Sequence, residues 1–139
     1  MSKEEKKSNL RVFLSYAASD AAQALRIRSV LLKQPDIKIF TTDTLSAGEN
    51  WIPKLRRALL ESDLFIVLLS PNAVESKWVL YELGAAWGLN KPIIPVVTQL
   101  EMSGKVPLVL RDVPLLSIED LENSSAVNQI LERYEEAAA

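Results

Sequence analysis

Six consecutive apolar residues, Leu64–Leu69 (LFIVLL), stand between the polar Glu61-Ser62-Asp63 and a Ser70-Pro71-Asn72 turn. Side chains alternate between the two faces of a strand. A run without a polar alternate must therefore be covered on both faces, as in a central strand of a parallel sheet flanked by helices. That requirement excludes a half-solvated antiparallel sheet and sets the frame for the rest of the chain.

Other segments fit the frame. Residues 11–15 (RVFLS) are a short β-rich run closed by the small, polar residues 16–20. Helical spacing follows over residues 21–33, with Ala22, Leu25, Ile27, Val30 and Leu31 as the expected apolar stripe and Asp20 or Ser19 as N-cap. Gln34-Pro35-Asp36 breaks this helix, and Ile37–Phe40 is a second strand. Residues 41–50 (TTDTLSAGEN) show no periodicity and exceed the roughly two to six residues usual between strand and helix. Such loops often carry function, with an ordinary surface loop as the competing reading. Asn50 is placed to cap a helix over Trp51–Glu61, with Pro53 tolerated in its first turn and Lys54, Arg56 and Arg57 on its surface.

After the third strand, residues 70–89 turn into a helix that Asn90-Lys91-Pro92 ends. On a helical wheel Val79, Leu80, Leu83, Ala86 and Trp87 form the expected core stripe, with Trp78, Glu82, Ala85 and Leu89 opposite. Glu82 is the only carboxyl group between Trp78 and Leu89. Ile93–Val97 is a fourth strand, residues 115–118 a fifth at the sheet edge, and residues 124–136 a closing helix. Residues 98–113 are poorly defined, with a short helix or turn near residues 106–110. Residues 1–9 read as a disordered charged leader and residues 10–137 as a single domain.

Strands alternating with helices predict right-handed βαβ units and a flavodoxin-like α/β three-layer sandwich. Its five-stranded parallel sheet has the order 2-1-3-4-5, with helices on both faces. Ligands in such sheets bind beyond the carboxyl ends of the strands, at the switch between strands 1 and 3. Here those ends are residues 15–20 and 70–72, and Glu82 lies on the helix that follows.

Composition removes whole classes of chemistry. Histidine and cysteine are both absent, so Ser-His-Asp and Cys-His machinery, disulfides and the usual zinc sites are excluded, and no metal is expected. The net charge of -2 gives no footprint for nucleic acid or an anionic membrane. No apolar run is long enough for a bilayer and no signal peptide is visible, so a cytoplasmic location is expected. Residues 15–17 and 70–72 lack the acidic residues of a phosphoacceptor. Neither GxGxxG nor a Walker A motif occurs, so neither a dinucleotide redox cofactor nor a P-loop nucleotide is supported. Flavin binding stays open although no phosphate loop stands out, and the expected cofactor set is none. What remains at the switch point is one carboxylate, two tryptophans, a tyrosine and hydroxyls. This set suits a ligand with flat rings and a ribose. A lone carboxylate can also assist cleavage of an N-glycosidic bond, because the transition state is oxocarbenium-like. Where the leaving group is a cationic nicotinamide, no general acid is needed.

Three segments, RVFLSYAASD, TTDTLSAGENW and SPNAVESKWVLYELGAAWG, together resemble the TIR (Toll/interleukin-receptor) domain, especially its bacterial members. The resemblance is carried most specifically by Ser70, Ser76, Trp78, Glu82 and Leu83 in order and spacing. Val79 departs from it, standing where many members have cysteine. The resemblance implies one of two functions: cleavage of NAD+ to nicotinamide and ADP-ribose or a cyclic form, often in anti-phage signalling, or a non-enzymatic adaptor. In the enzymes the helical glutamate is catalytic, which maps to Glu82, and Trp78 maps to a pocket wall. Ser15, Tyr16 and Ala17 map around the nicotinamide-ribose half. Residues 41–50 map to the family's BB loop, with Asp43, Leu45 and Ser46 at the substrate and Thr44, Ala47, Gly48 and Glu49 in self-assembly. NAD+ is then a substrate, and the implied partners are further copies in an oligomer or filament, a sensor domain or a downstream effector.

Overall fold

The computed structural model describes residues 10–41, 51–98, 106–123 and 132. Strands β1 (Leu10–Ser15), β2 (Ile37–Phe40), β3 (Leu64–Leu69), β4 (Ile93–Val97) and β5 (Leu116–Ser117) form one sheet in the order β2-β1-β3-β4-β5. Every pairing is parallel, so the predicted architecture and order hold. The helices with described bounds are α1 (Ala21–Leu31), α2 (Trp51–Glu61), α3 (Lys77–Gly88) and α4 (Ile118–Glu122).

All of β3 is buried, and its side chains divide by parity. Leu64, Ile66 and Leu68 join Val12 and Leu14 of β1 under α1 and α4. Phe65, Val67 and Leu69 join Phe13 under α2 and α3. Phe13 and Phe65 are register partners, and their rings stack with centroids 5.6 Å apart. Each face thus receives a continuous apolar layer from one strand sequence.

The helix ends explain where the chain turns. Ser76 opens α3 by accepting a hydrogen bond from the Val79 amide. Asn90 takes a left-handed conformation just beyond α3 (φ 60°), which asparagine tolerates. The Lys91 amide donates to the Ala86 carbonyl and the Asn90 amide to that of Trp87, closing a Schellman motif. The Lys91 ammonium then donates to the Leu60 and Ser62 carbonyls at the end of α2, tying the two helices together.

Some sequence expectations are corrected. The buried stripe of α1 is Ala24, Ile27, Val30 and Leu31, whereas Ala22 and Leu25 face solvent. In α3 the buried residues are Val79, Glu82, Leu83 and Ala86, spaced i, i+3, i+4 and i+7. Leu80 and Trp87, expected in the core, are exposed, because that stripe turns them away from the sheet. Asp20 stands at the N-cap position of α1 but makes no side-chain cap, since its carboxylate is engaged elsewhere. The fifth strand stops at Ser117, where a reciprocal capping box between Ser117 and Asp120 starts α4. A short 3-10 turn covers Leu108–Leu110. The leader and most of the expected closing helix lie outside the described residues. Among the described residues no helix is long and apolar enough to cross a membrane.

The assigned burial has a direct consequence. Ile66→Ala should lower stability by about 2–5 kcal/mol, as expected for a buried isoleucine. Leu25→Ala, at a side chain 59% exposed, should stay within about 0.5 kcal/mol of the parent. Urea unfolding measures both, and equal losses would contradict the two faces described.

Candidate functional site

Glu82 is 1% exposed, although a carboxylate in a core is costly unless a donor meets it. One donor is Ser15, the last residue of β1, whose hydroxyl lies 2.7 Å from Glu82 Oε1. Strand parity explains the meeting. Ser15 shares a face with Phe13, the face that α3 covers, and Glu82 lies in the α3 stripe turned toward it. The carboxylate and hydroxyl therefore face each other at the carboxyl end of the central strands, where ligand sites of this fold form.

The other site residues named from sequence fall in different places. Ala17 is buried on the Glu82 side. Tyr16 is half-buried and packs against the opposite cluster, beneath α1, as strand alternation requires. Trp78 lies one turn before Glu82 but is 49% exposed, with its ring edge-to-face against Tyr81 at 5.9 Å. The structure brings Ser15 and Glu82 together and packs the Tyr16 side chain against the other core cluster. Thr44, Ala47, Gly48 and Glu49, with Asp43, Leu45 and Ser46, lie outside the described residues.

The sequence places a second buried carboxylate, Asp20, at the switch point and assigns it only a capping role. Asp20, 6% exposed, accepts a hydrogen bond from the Ser70 hydroxyl. Asn72 Nδ2 lies 3.4 Å from its other oxygen, and the Ala73 amide donates to Ser70 Oγ at 2.9 Å. The available signal was position, since Asp20 and Ser70 follow β1 and β3 at the switch point. Beside them opens a cavity of about 500 Å³ whose lining comes from α1, the ends of β3, β4 and β5, and the start of α4. It lies on the α1 side of the sheet and Glu82 is not part of it.

An open parallel sheet of order 2-1-3-4-5 with helices on both faces defines a flavodoxin-like α/β domain, here with a serine-held glutamate beyond its strands. More specifically, the chain belongs to the TIR domain family, whose pattern it matches over residues 12–131. None of the curated proteins matches its sequence. Solved structures do. The TIR domain of the Toll-related receptor TRR-2 from Hydra magnipapillata is 21% identical, with a TM-score of 0.68, covering 92% of this chain and 98% of that one. A metazoan TIR-STING receptor from C. gigas is 19% identical with a TM-score of 0.71, covering 92% of this chain and 40% of that one. The TIR domains of the activated Roq1 resistosome are 21% identical with a TM-score of 0.56, covering 93% and 81%. At these identities the likeness is one of fold.

Ser15→Ala should lower stability by about 1–3 kcal/mol, because it removes a hydrogen bond from a buried carboxylate. Ser19→Ala, at an exposed position, should change it by less than about 0.5 kcal/mol. Thermal and urea unfolding of the two variants compare them; a silent Ser15→Ala would refute the tie.

Proposed function

We propose that this TIR domain is an NAD+ glycohydrolase or ADP-ribosyl cyclase acting in signalling, with Glu82 as its catalytic carboxylate. The observation that supports the reading is the placement of this glutamate, the only carboxylate of α3, against Ser15 at the carboxyl end of β1. In the TIR enzymes that the sequence resembles, the glutamate of this helix is catalytic, and the chain belongs to that family.

The chemistry needs little else. The bond between ribose C1′ and the pyridinium nitrogen breaks, and its electron pair stays on nitrogen, so the cationic ring leaves as neutral nicotinamide. The ribosyl fragment becomes oxocarbenium-like, and a fixed negative charge beside it lowers the barrier. Water then adds at C1′ and releases a proton to solvent, giving ADP-ribose. Where a nucleophilic atom of the fragment's own base adds instead, the product is cyclic. Ser15 positions the carboxylate, Trp78 flanks the entrance, and NAD+ is consumed as substrate.

At 1% exposure Glu82 does not meet a ribose unless its surroundings move. The reading therefore includes self-assembly as the activating step, with residues 43–49 and a neighbouring copy completing the site. Open head-to-tail assembly makes specific activity rise with concentration.

A second reading is a non-enzymatic module that binds other TIR domains, a sensor domain or an effector. It is favoured by the outward face of α3, where Trp78, Leu80, Tyr81 and Trp87 are all exposed and Lys77 is the only charge.

Chromatography of NAD+ incubated with concentrated protein separates the readings. Wild type should release nicotinamide, and Glu82→Gln should lose about 100-fold or more of that rate. Equal release by both would remove Glu82 from its role, and no release even with a crowding agent would favour the binding module. Specific activity should fall on dilution; a constant value would exclude activation by assembly.

A further inference from the structure

The cavity beside Asp20 takes no part in the proposed cleavage, yet it occupies the carboxyl edge of the sheet, where this fold places ligands. Its volume of about 500 Å³ falls within the range that small-molecule sites occupy. Hydroxyl residues from the ends of three neighbouring strands line it: Ser70 after β3, whose hydroxyl is held by Asp20 and the Ala73 amide, Thr98 after β4 and Ser117 in β5. Two carboxamides, Gln23 and Asn72, add paired donors and acceptors. The half-buried Gln23 amide has no hydrogen-bond partner among the described residues.

Charge narrows the ligand further. Arg26 is the cation in the described lining, and it is already engaged. Its Nε and Nη2 lie 2.9 and 2.8 Å from the two carboxylate oxygens of Glu122, a fork that bridges α1 and α4. Hydrogen bonding to this guanidinium holds the Glu122 carboxyl below the usual carboxylate range. Asp20 and Glu119 leave the remaining lining negative. A phosphate or carboxylate ligand would meet these carboxylates and no spare cation. Ring-stacking groups are also missing from the described lining, where Pro71 and Ile118 supply the apolar contact.

From this lining we infer that the cavity is a second binding site, for a neutral, hydroxyl-rich small molecule of pentose to hexose size. The site is separate from Glu82, on the opposite side of the sheet, and stands whether or not NAD+ is cleaved. Asp20 and Asn72 accept and donate to adjacent hydroxyls of the ligand, Gln23 closes on it from α1, and the strand-end hydroxyls line the floor. With no free cation among the described lining residues, the site discriminates against phosphorylated forms of the same sugar.

Titrations followed by amide NMR test the assignment, using D-ribose, D-glucose and myo-inositol, each beside its phosphate monoester. At least one neutral polyol should saturably shift the amides of Gln23, Asn72, Thr98 and Glu119 while leaving those near Ser15 and Glu82 in place. Its phosphate ester should bind about tenfold more weakly or worse, a difference of about 1.4 kcal/mol. Gln23→Leu should weaken binding about fivefold or more, and this partly exposed substitution keeps the test independent of whether Asp20→Asn folds. The assignment is overturned if no polyol gives saturable shifts at these residues or if the ester binds as tightly. It is overturned equally if Gln23→Leu binds like the parent. Because the readout is binding at the cavity, failure here leaves nicotinamide release by Glu82 unaffected, and the reverse also holds.

Discussion

A strand with no solvent contact along its whole length can exist only between two apolar layers. In this chain β3 is that strand, and the remaining architecture answers the demand it makes. Helices α1 and α4 cover one face and α2 and α3 the other, while β1 and β4 flank the strand and repeat its parity. The hydrophobic effect supplies the drive, and strand alternation divides one sequence between two cores.

Polar groups at the carboxyl edge are arranged around the same strand by exchange. Ser15, at the end of β1, donates to the carboxylate on the helix that follows β3. Ser70, just past β3, donates to the carboxylate that precedes the helix after β1. Each strand end therefore secures the other's outgoing helix, one on each side of the sheet. Buried carboxylates are costly, so the two serines decide that the loops at the switch point keep one arrangement. The Glu82 side carries the proposed bond cleavage, and the Asp20 side opens into the polar cavity.

Most of the framework was legible because it depends on local pattern. The LFIVLL run announced a doubly covered strand, and Asn90 followed by Lys91 and Pro92 announced the end of α3. The strand order followed from alternation and handedness, and Glu82 was singled out by its isolation among apolar neighbours. The side chain's direction was misjudged. Weighing Leu80 and Trp87 by hydrophobicity put them inside and Glu82 outside, whereas the helical phase of Val79, Leu83 and Ala86 carries Glu82 inward. No local rule announces the compensating donor, because Ser15 lies 67 residues earlier. Asp20 was misread for a like reason: a cap is a neighbouring interaction, while its real partner is 50 residues away.

The two strands at the margins of the sheet differ from those at its centre. β2 has four residues, with Lys38 exposed among them, and β5 has two. Short margins, one of them carrying a charge, offer little unsatisfied backbone to a passing chain, which is how natural sheets avoid templating amyloid-like growth. When copies of this domain meet, recognition consequently has to be written in side chains on helices and loops. Such contacts can be made and dissolved by modest changes of surface chemistry, so association stays reversible where continuous backbone pairing would make it permanent.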